Sequence, residues 1–245
     1  MLYRAVRRFN IGRALMGREP FYFADRRIPT EFHGSKYGGW SVCQHSLNAG
    51  SIVYSIGIGK DASFDLSLIS KHGCKIHAYD PTPQSVHWVA EHVHEPLFQM
   101  TPTALAAFDG TIKMYLPSVL VSDGVSASAI NISQNSTSTK HGVVDKSELF
   151  FEAPCRTLSS LMQANNHDYC DLVKMDIEGV EYDVIQQICD QGLVRSIGQL
   201  LVEFHHYFPG LEASSTQRAV RQLKECGFGI AWISRTNREY LFVRK

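Results

Sequence analysis

The sequence predicts an α/β, Rossmann-like fold with a mostly parallel sheet, on three observations. Short apolar runs alternate with segments of helical spacing, the pattern of strand-helix units. Three of those runs end in acidic or histidine residues, at the strand ends where ligands meet a parallel sheet. The first run enters its helix through a glycine turn, Ser55-Ile-Gly-Ile-Gly-Lys-Asp61, where missing Cβ atoms let a ligand lie against the main chain. At 245 residues the chain is long enough for one such core.

Ile52 to Ile56 is apolar and β-branched and reads as a buried strand; Ala62 to Ser70 reads as a helix. Lys75 to Tyr79 forms a second strand, stopped by Asp80-Pro-Thr-Pro83, and Gln84 to Val93 resumes as helix. Phe98 to Ala107 reads as a third strand, with Asp109-Gly110 as the turn of a hairpin into Ile112 to Leu116. Residues 118–148, rich in Ser, Asn, Thr and Gly, make a long loop that is either a lid over an acceptor or an inserted segment. Leu149 to Ala153 is a strand and Thr157 to Gln163 a short helix. Leu172 to Met175 is a buried strand ending in Asp176. Val180, Val184 and Ile188 open the next helix, where Glu181 suits the N-terminal dipole. Gln199 to His206 repeats this arrangement. Ser214 to Cys226 is helical, and Ile230 to Ser234 pairs with Tyr240 to Val243 in a closing antiparallel hairpin.

Charge separates the candidate ligands of the glycine turn. Gly57, Gly59 and Ala62 satisfy GxGxxG/A, with Asp80 placed as the acid that holds a ribose. Asp61 in the loop would oppose a pyrophosphate. It would instead pair with the ammonium and sulfonium of S-adenosyl-L-methionine (SAM). The turn therefore fits SAM better than NAD, with an ordinary strand-helix turn as the alternative. The main chain at Ala104 to Ala106 is placed to read an adenine edge. The glycine-aromatic stretch Phe32 to Trp40 either rims the site or packs as a plain loop. Asp176 and Glu178 leave the strand end together and face a cofactor cation or an acceptor hydroxyl. Period-two geometry puts Glu203 and His205 on one face and His206 on the other. With an ordinary pKa of about 6.5, His205 is a candidate general base, against a packing role. A divalent metal on Asp176 and Glu178 is the lesser reading, and no metal is expected, because carboxylates beside a cationic cofactor already have a role.

Composition bounds the partners. Lys plus Arg and Asp plus Glu balance at 24 each, so no single-sign field points to nucleic acid. Six cysteines lie scattered without zinc spacing, which suits reduced thiols in a cytoplasm, and no apolar stretch approaches a membrane span. Residues 1–35 form a basic extension with seven arginines before position 28. Its two readings are a segment packed on the domain, which is preferred, and a peripheral membrane contact. Residues 36–245 are taken as one domain, and the oligomeric state stays open.

Five stretches together resemble the FkbM-type SAM-dependent methyltransferases: Tyr37-Gly-Gly-Trp40, Tyr54 to Asp65, Asp80-Pro-Thr-Pro83, Lys174-Met-Asp-Ile-Glu-Gly-Val-Glu181 and Glu203-Phe-His205. The resemblance implies a class I methyltransferase sheet of seven strands with a C-terminal antiparallel strand. It also implies methyl transfer to oxygen on a sugar, a lipid-linked glycan or a secondary metabolite. By that resemblance Tyr37, Gly57, Gly59, Asp61, Ser63 and Phe64 surround the cofactor, Asp80 holds its ribose, and Asp176 and Glu178 sit at the methyl-transfer end. Glu178, Glu203 and His205 are then the candidates for orientation and proton removal. Ser55 departs from the acid that many methyltransferases carry two places before the first loop glycine. The rival readings are an NAD-dependent oxidoreductase and a non-catalytic SAM-binding interaction protein.

Overall fold

The computed structural model describes Gly12 and residues 19–116, 127–130 and 150–244. The chain passes through β1 (Thr30–His33), β2 (Trp40–Cys43), β3 (Ile52–Ile56), α1 (Ser63–His72), β4 (Lys75–Tyr79), α2 (Pro83–His92), β5 (Phe98–Thr101), β6 (Ala104–Leu105) and β7 (Gly110–Tyr115). It continues through β8 (Phe150–Arg156), α3 (Leu158–Ala164), β9 (Cys170–Met175), α4 (Glu181–Asp190), β10 (Ile197–Glu203), α5 (Ala213–Glu225), β11 (Phe228–Ile233) and β12 (Glu239–Arg244).

Seven strands form the central sheet in the order β11-β12-β10-β9-β3-β4-β5. The pairs from β10 to β5 are parallel, and β12 runs antiparallel between β10 and β11. This is the Rossmann-like sheet with an antiparallel C-terminal strand that the sequence predicts. Alternation along the strands sends side chains to two apolar layers. Tyr54, Ile56, Val173 and Met175 pack beneath α3, α4 and α5. Val53, Ile76 and Leu172 meet Phe64 and Leu68 of α1, Val89 of α2 and Trp40 of β2. Among the described residues no helix is long and apolar enough to cross a membrane.

Strand order reverses between β3 and β9, so their carboxyl ends open a crevice at the switch point. Gly57 explains how closely the two ends approach. Its φ is +80°, and a Cβ there would stand 1.8 Å from the Asp176 carbonyl oxygen. The Asp176 N–H donates to the Ile56 carbonyl and the Gly57 N–H to that of Tyr79, so pairing continues past the strand ends.

The structure corrects the strand expected over Phe98 to Ala107. Pro102, which has no N–H to give a ladder, separates β5 in the main sheet from β6, which pairs with β8 in a second, three-stranded sheet. The hairpin expected at Asp109-Gly110 is also absent, because β6 and β7 lie on opposite sides of β8. Asp109 instead accepts hydrogen bonds from Thr157 N and Ser160 Oγ at the start of α3. Of the extension, residues 1–11 and 13–18 lie outside the described residues. Pro20, Asp25 and Arg26 bond to Asn237 and Ile230 at the sheet edge.

Gly57→Ala is expected to cost more than about 3 kcal/mol of unfolding free energy or to abolish folding. Gly59 has φ +59° and no heavy atom within 4 Å of a would-be Cβ. Gly59→Ala is expected to fold with a loss of roughly 1–2 kcal/mol. Urea denaturation of the two proteins checks the contrast.

Candidate cofactor and acceptor site

A cavity of about 420 Å³ occupies the switch point, within the roughly 300–1,000 Å³ of small-molecule sites. Its floor is Ile56 to Asp61 after β3, Asp80 to Thr82 after β4, and Lys174 with Asp176 to Glu178 at the end of β9. Tyr37, Gly38 and Trp40 close one side; Ala104, Ile112, Met114, Ala127 and Ala129 form an apolar wall on another. Of the residues assigned from sequence to the cofactor, Tyr37, Gly57, Gly59, Asp61, Asp80, Ala104 and Asp176 line this space, and Glu178 joins them.

Ser63 and Phe64 do not line it. Phe64 is buried among apolar side chains, and its backbone crowds Gly34. Ser63 Oγ accepts from Ser35 N at 2.7 Å. Both seat the Gly34–Gly39 loop on the start of α1. Asp61 does the same, accepting from Ser35 Oγ at 2.6 Å and Ser63 N at 2.8 Å. Burial works against its charge, but the bonds from Ser35 and Ser63 hold Asp61 below the usual carboxylate range. Asp80 accepts from the N–H groups of Ile58, Gly59 and Thr82 at 3.0, 2.9 and 2.8 Å. About one of its four lone-pair positions is left for a ligand hydroxyl.

Lys174 is a buried cation whose role the sequence reading missed. Its ammonium donates to the Gly57 carbonyl at 2.6 Å and lies 5.6 Å from the centre of the Trp40 ring. A lone lysine inside the apolar strand Leu172-Val-Lys-Met175 was the available signal. On α1, burial pushes Asp65 up to about 6, with Lys174 opposing the rise.

Beyond the β9 end stand the three candidate catalytic residues. His205 is 2 % exposed; its Nε2 faces Glu178 Oε2 at 3.4 Å, Asp176 Oδ1 at 3.7 Å and Glu203 Oε1 at 3.9 Å. Glu181 is the second missed residue. Fully buried at the start of α4, it accepts from Gly179 N and His205 N and lies 3.3 Å from His205 Nδ1. It serves the helix start as expected and positions the imidazole as well. Glu178 has φ +53°, a left-handed conformation costly for a side-chain-bearing residue, and Ser128 Oγ donates to its carbonyl at 2.5 Å. Gly179 admits Ile130 and Phe208, whose side chains a Cβ there would meet. Ala127 and Ala129 of the Ser/Asn-rich loop therefore wall the cavity, and the remainder of 118–148 lies outside the described residues.

These contacts change the protonation expected for His205. Burial alone would push the imidazole down, but Glu181, then Asp176 and Glu178, raise it to about 10. It is an imidazolium at neutral pH and no longer the favoured base. Glu203 is pushed up to about 8, first by burial and then by Asp176, with His205 opposing. Burial also raises Asp176 against the pull of Lys174 and His205. Asp176, Glu178 and His205 offer ligand atoms within 4.8 Å of one another. A metal ion there would compete with the His205 proton for the same nitrogen.

Residues 51–230 match the Methyltransferase FkbM domain. The chain belongs to the FkbM methyltransferase family. "Probable methyltransferase-like protein 24" of Homo sapiens is 25 % identical over 190 residues, covering 74 % of this chain and 42 % of that protein. The protein of the same name from Rattus norvegicus is 24 % identical over 169 residues, covering 69 % and 36 %. The chain thus spans less than half the length of these curated relatives. A crystal structure of Methyltransferase FkbM from Methylobacillus flagellatus KT aligns with a TM-score of 0.46 at 9 % identity, covering 80 % of this chain and 44 % of that one. All the sequence-assigned site residues fall inside the matched FkbM region except Tyr37.

A group held above its ordinary pKa favours folding fully below the ordinary value and loses that contribution as pH rises through the raised one. For His205 the window runs from about 6.5 to about 10. Unfolding free energy from urea titrations is expected to fall by a few kcal/mol across it. Glu181→Gln should flatten that fall, because Glu181 contributes most to holding the proton.

Proposed function

We propose that the chain is a SAM-dependent O-methyltransferase acting on a hydroxyl of a sugar, a glycan or a secondary metabolite. The observation that carries this reading is the convergence of Asp176, Glu178 and Glu203 on His205 beside a cavity at the sheet's switch point. SAM, when bound, supplies an electrophilic methyl group on a cationic sulfur. The residues present fit it: Gly59 leaves the floor open, and the carboxylates favour a cation over a phosphate.

The glycine loop argues against the dinucleotide reading. The N–H groups of Ile58 and Gly59, which would face a pyrophosphate, already donate to Asp80, so a bound phosphate would meet a carboxylate in its place. Asp80 keeps capacity for one ribose hydroxyl. Ala104 and the apolar wall of Ile112 and Met114 suit an adenine face.

Glu203 takes the acceptor's proton. Raised to about 8, Glu203 becomes the available base as pH rises through that value, whereas His205 stays protonated up to about 10. The imidazolium steadies the ionised Glu203 and the acceptor oxygen, while Glu178 orients the hydroxyl. Enclosure by residues 127–130 excludes water. All six cysteines are free thiols, which supports a reducing cytoplasmic setting.

Calorimetry is expected to show S-adenosylhomocysteine binding, with NAD binding at least 100-fold more weakly; the reverse order would remove the SAM assignment. With methyl-labelled SAM and fractionated cell extract, label should appear in a hydroxyl-bearing small molecule or saccharide. For that acceptor, kcat/KM should rise with pH through about 8. Glu203→Gln should remove this limb and lower the rate by roughly 10²–10⁴-fold.

A further inference from the structure

A second cluster of ionisable groups lies away from the cavity, on the opposite flank of α1. We propose that Glu31, His33 and His72 form a zinc site that clips the β1–β2 ribbon to the C-terminal end of α1. Strand alternation places Glu31 and His33 on the same face of β1. His72 is the last residue of α1, which ends at Gly73 in a left-handed cap.

Glu31 Oε1 is 3.2 Å from His33 Nε2 and 3.0 Å from His72 Nε2, and all three atoms lie within 4.8 Å of one another. A tetrahedral ion with bonds of about 2.0–2.1 Å sets its ligand atoms about 3.3 Å apart, close to these separations. His33 Nδ1 is 2.9 Å from Ser67 Oγ. Without an ion His33 Nε2 donates to Glu31 Oε1 at 3.2 Å; an ion would take the place of that proton, leaving Nδ1 to donate to the Ser67 hydroxyl, the outer-shell arrangement of metal-bound histidines.

His72 supplies the independent observation. Its side chain is 9 % exposed, and its buried Nε2 makes no hydrogen bond although it points at Glu31. A buried ring nitrogen left so is costly, and a cation between the three groups satisfies all of them at once. Two imidazoles and one carboxylate suit zinc better than magnesium or calcium, which prefer all-oxygen ligands. Lys71 Nζ bonds the other carboxylate oxygen, Oε2. It leaves Oε1 to the ion, and its half-exposed ammonium opposes the ion only through screening solvent. Glu31 is 12 % exposed, which leaves the fourth position of a tetrahedral ion to solvent. Glu31 and His33 precede residue 51, so the matched family region does not include the ribbon half of the site. Because β1 leads directly into the Gly34–Gly39 loop, the clip fixes the cavity's rim.

Zinc content of the purified full chain, after incubation with zinc sulfate and desalting, tests the assignment. One zinc per chain is expected, and zinc should raise the melting temperature. Glu31→Gln and His72→Ala should lose the metal and the shift, while His205→Ala keeps both. Ser67→Ala, which leaves every ligand in place, should weaken zinc binding by roughly 10–100-fold with unchanged circular dichroism. Lys71→Met should bind zinc at least as tightly as the parent, by removing a like charge; a plain Glu31–Lys71 ion pair predicts no zinc in either protein. Absence of stoichiometric zinc from the folded parent, or zinc lost with His205→Ala and kept with His72→Ala, overturns the proposal.

Discussion

The close approach of Gly57 to the Asp176 carbonyl is the constraint on which the rest depends. With no side chain at position 57, the carboxyl ends of β3 and β9 come within main-chain contact, and Lys174 ties the carbonyl of Gly57 from below. That one contact brings a loop carrying Asp61 and a strand end carrying Asp176 to the two sides of a single cavity. Any Cβ at position 57 would separate them and open the crevice into which β3, β4 and β9 deliver their acids.

The acids around the cavity do two kinds of work. Asp61 and Asp80 are committed to the protein itself: one seats the Gly34–Gly39 loop on α1, and the other gathers three backbone N–H groups of the glycine turn and its neighbour. Their charge is satisfied before any ligand arrives. Asp176, Glu178 and Glu203 instead converge on one imidazolium, and burial with mutual crowding raises Asp176 and Glu203, so these are carboxyls that a cation brought to that end would help to ionise. A cationic ligand would meet uncommitted carboxyls at the end of β9 rather than in the loop. Asp61 is a rim residue that organises the mouth, and the charge argument built on it holds more strongly for the strand ends.

The fold was legible because its signals are local. Ile52 to Ile56, the glycine turn and the closing hairpin each carry their own period or turn chemistry, while the seven-stranded sheet was implied by the family resemblance. The split at Pro102 was visible in the residue itself, but the pairing of β6 with β8 joins segments some fifty positions apart, which no local pattern encodes. In the site, Asp176, Glu178, Glu203 and His205 were legible as strand-end residues. Glu181 was not: its distinguishing contact is with His205, 24 positions away, and at the first turn of a helix a glutamate has a sufficient local reason to be there. The raised protonation of His205 and Glu203 has the same origin. An imidazole's protonation depends on how many carboxylates surround it, and four of them converge only in three dimensions.

Strain and enclosure meet at Glu178. Its left-handed backbone is held from one side by Ser128, which takes its carbonyl, and from the other by Gly179, against which Ile130 and Phe208 pack. Residues 127–130, which wall the cavity, and the strained backbone of Glu178, whose carboxylate faces His205, are thus packed as one unit, so the position of this acid depends on contacts made by residues 48 and more positions away in sequence.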